Sequence, residues 1–455
     1  MKGTQLESES ILAELIEAEA VGAALPIRSR LSWIRDAVQA HAREYGGTFA
    51  TEFVVLACQL LVYKLAAHFL GRAGFSEYAV ARRTVALVYP IPLLGVAVAL
   101  PRYVAHAIGS GNGARTGRYF GAAVWCMGLG VLASALLMNL FSGMFAYAFF
   151  AGREYANLVL PLSVLLIGLV LHVLVYSYFR GRQAMRQANL LQLVNFGVVP
   201  LAAFLIFNGS VRSVIATTGL LTTLVAVIAL AFTPVRHVAE DVFPEAKELL
   251  RYGLQRVPGD FVHMALFTLP VTFVAHFSGV QEAGYVAFGV SVLNMIGSMF
   301  SPLGLVLLPK ASRMLAGGDL EELRAHVAQI VKATALVSVS IAVVLEFFAG
   351  ELIRVYLGPS FSEAASFLRI LVLAAVPYSL YCVLRNLVDA FHENAVNARN
   401  LLVAFAVFLT LSLGGLLVFR PPLQIPIAFV LSILLVAVLS CREALKIVRG
   451  RLTEV

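Results

Sequence analysis

Long apolar segments recur along this chain of 455 residues, and they constrain its fold more than any other feature. A helix needs about 20 predominantly apolar residues to cross the hydrocarbon core of a bilayer. Twelve segments of that kind are present, at 48–70, 84–106, 118–140, 156–178, 187–207, 211–232, 257–278, 283–308, 327–349, 363–388, 398–419 and 422–441. Because open sheet edges cannot face lipid, the sequence predicts an all-α polytopic membrane protein with about 12 transmembrane helices.

The composition excludes a soluble domain. Hydrophobic residues make up 60% of the chain and charged residues only 13%, whereas soluble domains carry roughly 25% charged residues. The formal net charge of +8 would suit a nucleic-acid partner. The positions of the basic residues distinguish that interpretation from one based on membrane topology.

Basic residues are concentrated on alternate gaps between the predicted spans. One set of gaps, with both termini, holds 25 of the 34 Lys and Arg residues, and the other set holds 7. By the positive-inside rule the basic set is cytoplasmic. The sequence therefore predicts cytoplasmic termini and contact with anionic lipid headgroups, and it argues against a nucleic-acid partner.

An internal repeat divides the chain into two halves. The segment 67–71 (AHFLG) aligns with 275–279 (AHFSG), and 100–102 (LPR) aligns with 308–310 (LPK), both at an offset of 208 residues. Each half contains six predicted spans, an even number, so both halves enter the membrane in the same direction. The sequence predicts two six-helix bundles related by a parallel repeat. The Leu-Pro-cation phrase is expected to end a helix at the cytoplasmic interface.

The repeat and the spans together define five regions. The first is expected to contain an interfacial amphipathic helix, with a disordered tail as the alternative, and the linker is helix-prone after Pro244. The predicted regions are an N-terminal cytoplasmic extension at 1–45, an N-terminal bundle at 46–232, a cytoplasmic linker at 233–256, a C-terminal bundle at 257–442 and a cytoplasmic tail at 443–455.

Three phrases resemble a known family. They are FLGRAGFSEYAVARRTVALVYPIPLLGVAVALPRYVAHAIG at 69–109, YFRGRQAMRQANLL at 178–191 and LLPKASRML at 307–315. They resemble the polysaccharide-transporter branch of the multidrug/oligosaccharidyl-lipid/polysaccharide (MOP) exporter superfamily, which contains the Wzx-type flippases. The resemblance implies a MATE-like fold, with a cleft between the bundles lined by the first, second, seventh and eighth spans.

Polar side chains within the spans indicate candidate binding residues, because ionisable groups at membrane depth usually face a cavity or a partner. Ser291, Asn294, Ser298 and Ser301 share one face of the eighth span, and Arg82 and Tyr89 share a face near the start of the second. Cations near the outer interface have an alternative role, because they can also extend to the headgroups. The predicted substrate-binding residues are Lys64, Arg82, Arg83, Tyr89, Asn294, Ser298 and Arg369.

The resemblance implies a secondary transporter that flips undecaprenyl-diphosphate-linked oligosaccharide units across the bacterial inner membrane, for O-antigen or exopolysaccharide biosynthesis. In that role Lys64, Arg82 and Arg83 would neutralise the diphosphate. Glu52, Asp260 and His263 are candidates for ion coupling, although consumption of the product on the far side could also drive flipping. The expected partners are the lipid-linked substrate, membrane lipids, and polysaccharide polymerase and chain-length proteins. A monomer without cofactor or metal is expected.

Three other classes of protein fit the sequence less well. A multidrug antiporter of the same superfamily would carry acidic cavity residues for organic cations, whereas the deepest charges here are mainly basic. A membrane-embedded polysaccharide polymerase or ligase would need a large outer loop and catalytic groups, and every predicted outer loop is short. A channel would more plausibly assemble from identical subunits, whereas this chain carries its own pairing of halves. We therefore expect a transporter and not an enzyme.

Overall fold

The structure is a computed structural model that describes residues 27–207, 209–234, 241–316, 320–391, 396–415 and 423–448. It divides into two compact units, Met1–Thr51 and Glu52–Val455. In the first unit, the amphipathic helix predicted within 1–45 lies partly outside the described residues, and a helix begins at Ile27. The second unit contains nearly all of both predicted bundles.

Helices account for nearly all of the described part of the first half. They are α1 Ile27–Val88, α2 Pro90–Leu93, α3 Val96–Gly109, α4 Gly113–Leu140, α5 Ser142–Phe150, α6 Val159–Gly181, α7 Met185–Leu193, α8 Val199–Ile206 and α9 Val211–Leu230, with a 3-10 turn at Arg153–Leu158 and a π turn at Val194–Val198. The π turn joins α7 to α8 within one span.

The second half repeats this pattern after a short helix in the linker. Its helices are α10 Phe243–Gly253, α11 Val257–Ser278, α12 Val280–Ala316, α13 Leu320–Tyr356, α14 Ala364–Val372, α15 Ala375–Phe391, α16 Val396–Gly415 and α17 Gln424–Val448. The pair α14 and α15 bends by 46° and together has the length of one span.

The predicted fold class is confirmed. The described residues contain ten helices long and apolar enough to cross a membrane, or eleven when the bent pair counts as one span. One of them, Gly46–Leu93, has 48 residues, which at 1.5 Å per residue is about 72 Å and enough for two crossings. It breaks at Gly71, whose φ of 64° and ψ of −170° are not helical. Twelve crossings in two sets of six are consistent with this arrangement.

Two expectations about helix ends are wrong. The second span was expected to start at residue 84, but the helix resumes directly after Gly71. The Leu-Pro-cation phrase was expected to end a helix, but Pro101 lies inside α3 and the backbone of α12 continues past Pro309 to Ala316. The interruption in the first half lies earlier, at Leu94 and Gly95, which both have positive φ. Pro90 and Pro92, just before it, cannot donate the backbone hydrogen bonds that a continuous helix needs.

The linker helix α10 packs against the N-terminal bundle. Glu245 is 2% exposed and lies 3.5 Å from both Arg115 and Arg118 of α4. At the C-terminal end of α10, the backbone of Gly253 touches the backbone of Gly95 so closely that a methyl group at Gly95 would lie 2.6 Å from the Cα of Gly253. The linker helix is therefore held by both ion pairs and close backbone contact.

Candidate functional site

A cavity of about 250 Å³ lies between the two halves of the chain. Two parts of α1, before and after Gly71, form one wall, and α12 forms the other. Its lining residues are Leu56, Gln59, Tyr63, Arg82, Arg83, Ala86, Ser291, Asn294, Met295 and Ser298. We call this cavity the cleft.

The two arginines of the cleft lie deep within the membrane-spanning region. Arg82 is 11 residues beyond Gly71, about 16 Å along the helix axis, and the hydrocarbon core is about 30 Å thick. Because the predicted span began at residue 84, Arg82 and Arg83 were expected near the outer interface, where they could have extended to the headgroups. Their position in the structure disfavours that alternative.

Neither arginine forms an ion pair with a carboxylate within the part of the chain that the structure describes. Arg83 is only 9% exposed. The guanidinium of Arg82 lies over the rings of Tyr63 and Tyr78, at 5.1 and 5.8 Å from their centroids. Uncompensated charge at this depth is costly, and cation–π contacts offset only part of that cost. By charge alone, these two guanidinium groups favour an anion over a cation in the cleft.

Arg83 is held by a residue of the other half. Its Nη2 donates to the hydroxyl of Ser291 at 2.7 Å, and the Tyr63 hydroxyl lies 2.6 Å from the same atom. Ser291 donates in turn to the Ala287 carbonyl at 2.7 Å. A serine hydroxyl has one donor and two acceptor sites, so this arrangement satisfies it fully when Tyr63 is the donor.

Arg83 and Ser291 occupy equivalent positions in the two copies of the repeat, because they are 208 residues apart. Ser76 and Gly284 are equivalent in the same way, and they too are in contact, because a side chain at Gly284 would collide with Ser76. Equivalent residues touch each other only close to a two-fold axis. The pseudo-two-fold axis of the repeat therefore passes beside Arg83 and Ser76.

Arg82 is positioned by a chain of contacts within the first half. Its Nη2 donates to Gln59 Oε1 at 2.5 Å, and Gln59 Nε2 donates to the Phe196 carbonyl at 2.5 Å. That carbonyl would ordinarily accept from the amide four residues later, but residue 200 is proline and has no N–H. Gln59 replaces the missing donor, which fixes its orientation toward Arg82.

The cleft is closed at the membrane face where Gly71 and Gly279 lie, which we call the glycine-turn face. There Arg72 pairs with Glu363 at 2.8 Å and donates to the Tyr285 hydroxyl at 3.1 Å. Ser76 donates to the Gln281 carbonyl at 2.9 Å. The residues lining the cleft lie farther along each helix from the glycine turns than these contacts do. The cleft is therefore separated from the glycine-turn face.

The structure brings four of the seven predicted binding residues to the cleft. These are Arg82, Arg83, Asn294 and Ser298. Tyr89 instead lines a second cavity inside the N-terminal bundle, which also contains Arg82. Lys64 and Arg369 are both exposed and line neither cavity.

The three candidate coupling residues lie outside both cavities. Glu52 is half-buried within electrostatic range of Arg180, and exposed Asp260 lies within range of Arg256 and Arg385. Glu52 and Asp260 are again 208 residues apart. Each half thus has an acidic residue near the start of its first span with a basic residue nearby.

His263 lies one turn beyond Asp260 on α11. Its ring packs edge-on against Phe267, with centroids 5.2 Å apart. Its Nε2 is buried and has no hydrogen-bond partner among the described residues.

Sequence reasoning missed Gln59 and Tyr63, which position the two arginines. The available signal was their spacing of four residues, which places both on one face of the first span. Lys64, which lies on a neighbouring face of the same helix, was selected instead because it is charged. Tyr63 is 1% exposed while Lys64 is exposed, so the aromatic face is the one that packs.

Comparison with known proteins gives one family match. The model of a family described as polysaccharide biosynthesis protein matches residues 118–366, more than half of the chain. A search of curated protein sequences finds no match.

Several solved structures share the fold at low sequence identity. A crystal structure of the eukaryotic MATE transporter AtDTX14 aligns with a TM-score of 0.66 at 14% identity, over 90% of this chain and 96% of its own. The lipid II flippase MurJ, in an inward closed conformation, gives a TM-score of 0.66 at 16% identity, over 89% and 90%. The Vibrio cholerae MATE transporter VcmN in the bent form gives 0.60 at 15% identity, over 91% and 98%. The shared fold covers almost the whole chain.

Proposed function

Because the chain belongs to the polysaccharide biosynthesis protein family and has the fold of the MOP exporters, we propose that it flips an oligosaccharide linked to undecaprenyl diphosphate from one leaflet to the other. Its biosynthetic role would be to supply units for O-antigen or exopolysaccharide. The protein would be a secondary transporter without enzymatic activity. It would reside in the bacterial inner membrane with both termini in the cytoplasm.

One observation carries this proposal: Arg82 and Arg83 lie side by side in the cleft, at mid-membrane depth, without a described carboxylate partner. A diphosphate supplies the negative charges that two adjacent guanidinium groups require, and each can donate charge-assisted hydrogen bonds to phosphate oxygens. Asn294 and Ser298, on the facing helix, can donate to and accept from sugar hydroxyls. The lipid tail would remain in the bilayer.

The same observation argues against a multidrug antiporter for organic cations. A cationic substrate in the cleft would face two arginines at close range, and like charges in a low-dielectric site repel strongly. The MATE transporters found by structural comparison are only 14–15% identical to this chain, so they support its fold and carry no information about its substrate. The lipid II flippase is only 16% identical to this chain, so it too supports the fold alone.

Transport would proceed by alternating access, with one bundle rocking against the other. The contacts of Arg72 with Glu363 and of Ser76 with Gln281 would form the closed gate, and this gate would face the periplasm. The cleft would then receive substrate from the cytoplasmic leaflet. Membrane lipids are the immediate partners, and polysaccharide polymerase and chain-length proteins would act on the delivered units. We expect a monomer, because the chain supplies both halves of the cleft.

The proposed function is tested in a strain lacking its own flippase for the cognate polysaccharide. Expression of the protein should restore polysaccharide export, and its loss should cause undecaprenyl-linked oligosaccharide to accumulate on the cytoplasmic leaflet. Lipid extraction followed by mass spectrometry identifies the accumulated species. Normal export without the protein, or accumulation of a species without a diphosphate, would contradict the proposal.

We propose that Glu52, Asp260 and His263 couple flipping to an ion gradient. Carboxylates and imidazole are the groups that bind protons within membrane proteins. If coupling uses protons, collapse of the proton gradient in vesicles should slow transport severalfold, and collapse of the sodium gradient should not. An Asp260→Asn variant should then be slow under both conditions. Transport indifferent to both gradients would make these residues structural and leave product consumption as the driving force.

A further inference from the structure

The second cavity lies mostly within the N-terminal bundle, is bordered by Met264 of α11, and has a volume of about 310 Å³. We call it the bundle cavity. Apolar side chains from α1, α6, α8 and α9 form most of its wall, among them Leu162, Leu165, Pro200 and Ile215. At about 30 Å³ for each water-sized group, it has room for roughly ten non-hydrogen atoms.

Two polar atoms of the bundle cavity have unmet hydrogen-bonding capacity and opposite character. Arg82 Nη1 is a charged donor, and Asn195 Oδ1 is an acceptor on a side chain that is only 2% exposed. Both atoms are buried and lack a well-aligned hydrogen-bond partner among the described residues, although the Tyr78 hydroxyl lies close enough to interact with the Arg82 guanidinium. Leaving such buried groups unpaired destabilises a protein, and a charged group does so more than a neutral one.

The orientation of the Asn195 side chain is fixed by the contact of its amide nitrogen with His172. Its Nδ2 donates to His172 Nδ1 at 3.0 Å, so the other imidazole nitrogen carries the proton and donates to Gln192 Oε1 at 3.2 Å. Asn195 also lies in the π turn Val194–Val198, a distortion that often occurs at functional sites. The amide is therefore held with its oxygen away from His172, and the residue lines the bundle cavity.

We propose that the bundle cavity is a second binding site, which takes the headgroup and first chain carbons of an amphiphilic phosphate monoester. A monoprotonated phosphate monoester has anionic oxygens for Arg82 and an O–H that donates to Asn195. Its apolar chain fits the walls formed by Leu162, Leu165 and Ile215. Arg82 lines both the bundle cavity and the cleft, so ligands in the two sites compete for one guanidinium.

Dodecyl phosphate binding to the purified full-length protein in nanodiscs tests this site, with inorganic phosphate and decanesulfonate as comparison ligands. Thr218 lines the bundle cavity and not the cleft, whereas Ser298 lines the cleft and not the bundle cavity. Thr218→Phe, which fills the bundle cavity, should weaken dodecyl phosphate binding at least tenfold. Thr218→Val, which keeps the volume, and Ser298→Phe should change it less than twofold.

A second variant, which does not fill the cavity, keeps the test valid if Thr218→Phe fails to fold. Asn195→Ala should weaken dodecyl phosphate binding about fivefold and leave decanesulfonate binding unchanged, because the sulfonate has no O–H to donate. Equal binding of inorganic phosphate would show a soluble-anion site, and absence of binding by all three ligands would show that water alone fills the cavity. Either result, or loss of dodecyl phosphate binding in Ser298→Phe alone, would overturn the proposal.

The assay measures binding and not export, so it separates this inference from the proposed function. Ser298→Phe is expected to impair export of the polysaccharide unit without affecting the bundle cavity. A protein that exports normally but fails to bind dodecyl phosphate would refute only the second site. One that binds dodecyl phosphate at the bundle cavity but exports nothing would refute only the proposed function.

Discussion

Replacing Arg82 with alanine is expected to abolish export of the polysaccharide unit while the protein remains at normal abundance in the membrane. Loss of one charge-assisted contact to phosphate weakens binding by about 1.5–3 kcal/mol, or roughly tenfold to a hundredfold. The change also removes the donor to Gln59 Oε1 and the cation over Tyr63. Export in a complemented strain, normalised to immunoblots of membrane fractions, measures the effect.

Arg82→Lys is the matched control. An ammonium group retains attraction to phosphate but lacks the planar fork that reaches Gln59 and a phosphate oxygen together, so partial export is expected. A cation that only extended to the headgroups would give the opposite pattern, with a mild effect or reduced abundance for alanine and none for lysine. Normal export from Arg82→Ala would exclude this residue from the site.

Gly95→Ala is expected to lower the unfolding temperature of the protein markedly. Gly95 has a φ of +70°, and an alanine in the left-handed region costs about 1–2 kcal/mol. Its methyl group would also lie 2.6 Å from the Cα of Gly253, which forces backbone movement at a typical cost of about 1–3 kcal/mol. Both terms act where α10 packs on the N-terminal bundle. Thermal unfolding in detergent, followed by size-exclusion chromatography, reports the change.

Gly109→Ala provides the comparison at the opposite end of α3, the helix that begins just after Gly95. A methyl group at Gly109 would meet no atom within 4 Å, and its backbone has no positive φ. We expect an unfolding temperature equal to or slightly above that of the unchanged protein, since alanine favours helix more than glycine does. The same unfolding temperature for both variants would contradict the close backbone packing between Gly95 and Gly253.

Some residues that are separated by the repeat offset are in contact in the structure. Arg83 and Ser291 were both selected as polar residues of interest, and their separation equals the offset of 208 residues. A parallel repeat has an axis along the membrane normal, and residues beside that axis meet their own equivalents. What the offset cannot reveal is which of many equivalent pairs lies beside the axis, since every residue has such a partner.

On the first span, the candidate selected for its charge and the residues that line the cleft lie on different faces. Lys64 was selected because a cation within an apolar segment is unusual, yet it is exposed, and the face that meets the other half contains Gln59 and Tyr63. Periodicity identifies residues that share a face. It does not rank faces, because a long basic side chain can extend to water from the lipid side. Tyrosine and glutamine are less unusual than lysine in an apolar segment, yet Tyr63 and Gln59 form the interior contacts.

The sequence by itself predicted that the protein lies in a lipid bilayer, that it is helical, and that it contains two copies of one unit. Hydropathy over 20 residues reports the cost of placing a segment in lipid, and an offset of 208 residues reports duplication directly. Only the tertiary structure decided the depth of Arg82 and Arg83 and the sharing of Arg82 between two cavities. The reason is that the break at Gly71 and the Gln59 contact to a carbonyl left free by Pro200 depend on packing between helices distant in sequence, and a window along the chain does not contain those partners.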